Sequence, residues 1–96
     1  LIDEFSTRLA TDLAQRYPPE LENDATRKRN PERLARAFDS TFNRAIDFQR
    51  ERKLGVYGKA RLGNSFRWKL KELGYPEDLI ELATKALIHF VSLQRP

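Results

Sequence analysis

Apolar residues recur at three- and four-residue intervals in four blocks of this chain, and over no length do they alternate with polar ones. Spacings of three and four stack side chains on one face of a helix, whereas a half-buried strand needs a period of two. The pattern therefore predicts an all-α chain. Ile2, Phe5, Leu9 and Leu13 define a first helix over about residues 3–17, which Pro18-Pro19 ends. The stretch from Glu20 to Arg29 has no sustained period and reads as a polar connection with Leu21 as its one apolar anchor.

Asn30-Pro31-Glu32 is a helix start: Asn30 suits the N-cap, Pro31 sits where its missing N–H is harmless, and Glu32 places an acid in the first turn. Leu34, Phe38, Thr41, Phe42, Ala45 and Phe48 line one face of this second helix, expected over 31–53. Gly55 and Gly58 bracket a turn, and Leu62, Phe66, Leu70 and Leu73 mark a third helix over 58–73. Gly74 fits the left-handed residue just past a helix end, with Tyr75 placed to meet Leu70 in a Schellman ending. A fourth helix comes next, over 76–94. The short link makes helices three and four an antiparallel hairpin.

The apolar positions of the fourth helix, from Leu79 to Leu93, cover roughly 200° of its circumference, and Ile88 widens the arc. Such a helix is either central to its domain or offers a second face to another chain. The expected architecture is one compact four-helix domain over 1–96 with the fourth helix central. On the interface alternative, Ile88 and Val91 are the candidate contact residues.

A chain of 96 residues suits a single core. It has no Cys and one His, His89, which leaves no disulfide framework and no thiolate metal site. No metal or other cofactor is expected. No apolar run approaches the roughly 20 residues that span a bilayer, and Leu1-Ile2-Asp3-Glu4 is not a basic-then-apolar leader. The expectation is a cytoplasmic protein without a membrane partner.

Motifs for catalysis are lacking. Gly55, Gly58 and Gly63 surround Lys59, but Ala60 comes after Gly58-Lys59 where a phosphate loop needs Ser or Thr. His89 has no acid or second His at i±3 or i±4. The carboxylate pairs Glu77/Asp78 and Asp47/Glu51 fit a helix's first turn and a solvated, Arg-rich face. A non-enzymatic role is expected.

Charge is the feature that stands out. Residues 27–71 carry 14 Lys and Arg against four acids, a net +10, while 1–26 carry two against six and 72–96 two against four. An anionic partner, or acidic ends folded over a basic middle, would each explain it. Arg27, Lys28, Arg29, Arg33 and Arg36 form one basic group; Arg61, Arg67, Lys69 and Lys71 form another on the third helix. Trp68 projects roughly 155° from that helix's apolar stripe, toward Arg61, Asn64, Ser65 and Lys71. An aromatic among cations can stack on a base while phosphates are neutralised, and it can equally anchor a protein contact. The expected function is a binding or regulatory module that contacts nucleic acid through the third helix. The alternative is a protein-interaction module or homodimer.

Overall fold

A computed structural model describes residues 1–23 and 28–92. They form five helices and no strand: α1 (Ile2–Arg16), α2 (Glu20–Asn23), α3 (Pro31–Arg52), α4 (Val56–Glu72) and α5 (Glu77–Ser92). The chain is all-α, with one helix more than the four expected. The addition is the single turn α2, in the segment that reads as a polar connection. It forms because the carbonyls of Pro18 and Pro19, which end α1, accept from the N–H groups of Leu21, Glu22 and Asn23 at 3.0–3.1 Å. Leu21 packs against the core as the anchor of this segment.

The start of α3 obeys its sequence signal, since Asn30 Oδ1 accepts from the Arg33 N–H at 3.1 Å and Pro31 occupies the first turn. Its end does not use a glycine. Lys53 adopts the left-handed conformation at φ 52°, and the Leu54 N–H reaches back to the Gln49 carbonyl at 3.2 Å. With the reversal made one step earlier, Gly55 becomes the N-cap of α4 and the helix begins at Val56, not at 58. Gly58 lies in the first turn of the helix, where a Cβ would stand 3.1 Å from Leu54 Cδ2. The displacement places Tyr57 on the helix surface.

Gly74 ends α4 at φ +97°. Its N–H donates to the Lys71 carbonyl at 3.1 Å and that of Tyr75 to Leu70 at 3.2 Å, the two bonds of a Schellman motif. Tyr75 is buried, and its hydroxyl donates to the backbone carbonyl of Tyr17. The expected end of α5 at residue 94 lies outside the described residues.

Helix α1 packs on α4 and α3, and α5 packs on the same two. Thus α3 and α4 face each other across the core, as do α1 and α5. Phe42 of α3 occupies the middle, meeting Phe66 edge-on at 5.5 Å and Phe90 at 5.7 Å between ring centroids. The buried apolar residues of all four long helices form one cluster. The broad apolar arc of α5 does not make it central. It is divided between α3 and α4, which bury Leu79, Ile80, Ala83, Leu87 and Val91 and leave Leu82 exposed. Gly63 lies where α4 meets α5, and a Cβ there would stand 3.0 Å from Ile88 Cδ1, tighter than an ordinary contact.

Candidate recognition face

The outward face of α4 is a consequence of helical geometry. At about 100° and 1.5 Å per residue, Tyr57 and Trp68 lie about 20° apart in angle and about 16 Å apart along the axis. Arg61 and Asn64 fall between them and Lys71 just beyond. Burial of Leu62, Phe66 and Leu70 turns this strip to solvent, leaving Tyr57 83% and Trp68 58% exposed. Tyr57, Ala60, Arg61, Asn64, Ser65, Trp68 and Asp3 line one shallow groove. The ammonium of Lys71 stands 5.4 Å from the centroid of the Trp68 ring, a cation–π contact.

The groove has one acidic wall. Arg61 Nη2 lies 3.1 Å from Asp3 Oδ2, joining α4 to the first turn of α1. This hydrogen bond holds the Asp3 carboxyl below its ordinary pKa. Both partners are more than half exposed, so the pair is a surface pair screened by water and salt.

The cations of the third predicted helix are thus separated. Arg61, Trp68 and Lys71 share the outward strip. Arg67 is turned toward α5, where it pairs with Glu81, and Lys69 pairs with Glu72 at 3.0 Å along its own helix.

Arg33 and Arg36 of the second basic group do not extend the strip. Arg27 lies outside the described residues. Lys28, Arg33 and Arg36 are exposed, but Arg33 and Arg36 belong to α3, across the core from α4. Arg29 has a structural role. Its Nε contacts both oxygens of Glu22, at 3.1 and 3.0 Å, and its Nη2 reaches Asp78 at 2.9 Å. The Glu22 side chain, only 4% exposed, also accepts from the Tyr17 hydroxyl. Burial acts to raise the Glu22 pKa, but the hydrogen bonds from Arg29 and Tyr17 outweigh it and hold the carboxyl low. Burial and the neighbouring Glu22 push the Tyr17 hydroxyl up to about 12.

Of the two interface candidates on the last helix, Val91 is fully buried and offers no surface, because its side chain falls on the stripe shared with Leu87. Ile88 is half-buried against Gly63. His89 is exposed, and among the described residues no group of three or more His, Cys, Asp or Glu is placed to hold a metal ion.

Sequence reasoning misses two members of the face. Tyr57 reads as part of a turn, although its spacing of 11 residues from Trp68 returns almost to the same angle and is a usable signal. Asp3 carries no local signal, since its partner is 58 residues away. Comparison with protein-family models, curated proteins and solved structures gives no match to this chain.

Proposed function

We propose that this chain is a non-enzymatic binding module that contacts nucleic acid through the outward face of α4. The observation that carries the reading is the exposed indole of Trp68, with Lys71 over its ring and Arg61 on the same strip. Large aromatics are mostly buried in folded chains, so an exposed one among cations invites a flat, anionic ligand. The architecture we read beneath it is a four-helix bundle with a one-turn insertion. In it α4 and α5 form an antiparallel hairpin across Gly74, a reading supported by Gly63 facing Ile88 while Arg67 meets Glu81.

The test is titration of the protein with mixed-sequence oligonucleotides at low and moderate salt, read by Trp68 emission. Binding is expected to perturb the indole and to weaken steeply with salt, because phosphate contacts release counterions. Absence of any salt-dependent change overturns the reading.

A second reading, a protein-interaction module or homodimer, is favoured by the pairing of Arg67 and Lys69 with acids and by the exposure of Leu82 on α5. Its test is sedimentation over a wide concentration range. A mass that rises with concentration supports the homodimer, and a strict monomer removes it.

A further inference from the structure

The strip on α4 alternates in kind along its length: Tyr57, Arg61, Asn64, Trp68, Lys71. Its two rings are exposed, share one face and stand about 16 Å apart, three helical turns. A ring can stack only on a base whose face is open. A duplex keeps its base faces inside its own stack and presents phosphates and base edges, so neither ring would gain its stacking partner from it. A single strand presents open faces and a flexible backbone. We infer that the α4 strip is a two-platform site for single-stranded nucleic acid, Tyr57 and Trp68 each stacking a base while Arg61 and Lys71 neutralise the phosphates beside them. This deepens the nucleic-acid reading above and rests on it.

The distances set the length of strand that spans both rings. At about 3.4 Å per stacked nucleotide, a strand needs about five steps to cover 16 Å, and a stretched strand fewer. Arg61 meets Asp3 through Nη2 alone, and because that pair is exposed on both sides a phosphate can share the guanidinium or take the place of the carboxylate. Asn64, between the rings and nearer Trp68, supplies both a donor and an acceptor for a base edge or sugar.

The experiment uses the whole chain and fluorescence anisotropy of labelled thymidine strands. The probes are a strand of about twenty nucleotides, the same strand annealed to its adenosine complement, and a series from about two to about eight nucleotides. The single strand is expected to bind about tenfold or more tighter than the duplex, and affinity in the short series is expected to rise as the strand reaches about six nucleotides. Tyr57→Ala and Trp68→Ala should each weaken binding about tenfold, and Tyr57→Phe, which keeps the ring, should restore it. Both side chains are exposed, so the variants should melt with the parent, as circular dichroism will check. Duplex bound as tightly as single strand, or a silent Tyr57→Ala beside a damaging Trp68→Ala, overturns the two-platform site and leaves the nucleic-acid reading standing. No binding of any probe overturns both.

Discussion

Arg29 holds the Glu22 carboxylate by both oxygens, its Nε lying 3.1 and 3.0 Å from them, and through this contact the connection after α1 is fastened beside the start of α5. The Tyr17 hydroxyl completes the clasp from the end of α1. Glu22→Gln keeps an acceptor for the hydroxyl but removes the charge from a nearly buried site. It is expected to lower stability by about 1–3 kcal/mol near neutral pH, measured by urea denaturation.

The clasp also sets a pH window. The folded-state pKa of Glu22 is depressed, so its contribution is present above the unfolded value of about 4.3 and is lost as pH falls through the lower folded value. Tyr17 works in the opposite sense: its raised pKa makes its contribution complete below about 10 and lost as pH rises through about 12. The stability difference between parent and Glu22→Gln is expected to shrink as pH is lowered below about 4. A constant difference down to strongly acid pH would show that the carboxylate charge is not what the clasp uses.

Lys53 occupies a left-handed position that glycine takes without strain. Lys53→Gly is therefore expected to stabilise the chain by up to about 1 kcal/mol, the gain at the helix end exceeding the added freedom of the unfolded chain. The readout is a higher urea midpoint with an unchanged slope. A lower midpoint would mean that the Lys53 side chain makes contacts worth more than the strain.

Asp3→Asn should release Arg61 from its carboxylate partner without unfolding the chain, because the pair lies on the surface. Single-stranded oligonucleotides are expected to bind more tightly to this variant. The gain should be greatest at low salt, where the exposed Arg61–Asp3 pair is least screened, so the slope of log affinity against log salt should steepen. Unchanged affinity and slope would place Arg61 outside the binding surface.

Trp68 is the single tryptophan of the chain, which makes its surroundings directly readable. Its emission should be red-shifted and open to quenchers, with iodide more effective than caesium because Lys71 stands over the ring. Equal quenching by the two ions would contradict the cationic surroundings.

These features are unequally legible in the sequence. The Asn30-Pro31 start and the Gly74-Tyr75 ending act within one turn, and in both the residues that form the hydrogen bonds are the residues that announce them. The reversal at Lys53 is not legible, because nothing in a lysine itself favours the left-handed region, and with that reversal Tyr57 passes from the expected turn into α4. The outward projection of Trp68 can be read from helical angle alone. The partition of the cations cannot, since Arg61, Arg67 and Arg29 each meet an acid on another element of the fold. The breadth of the α5 arc is real, but two flanking helices consume it where the sequence pattern suggests one central position.

The hydroxyl of Ser6 in α1, which lies 2.9 Å from the Ile2 carbonyl of its own helix, also comes within 3.3 Å of the Leu62 carbonyl in α4, across 56 residues of chain. The α1–α4 interface thus closes a long loop of the fold, whereas α4 and α5 meet across a turn of a few residues. Loop-closure entropy must be spent before such distant contacts reward it. Assembly should therefore begin with the α4–α5 pair and finish when α1 docks. Substitutions at the α1–α4 seam, such as Leu9→Ala, should accelerate unfolding while leaving the folding rate nearly unchanged.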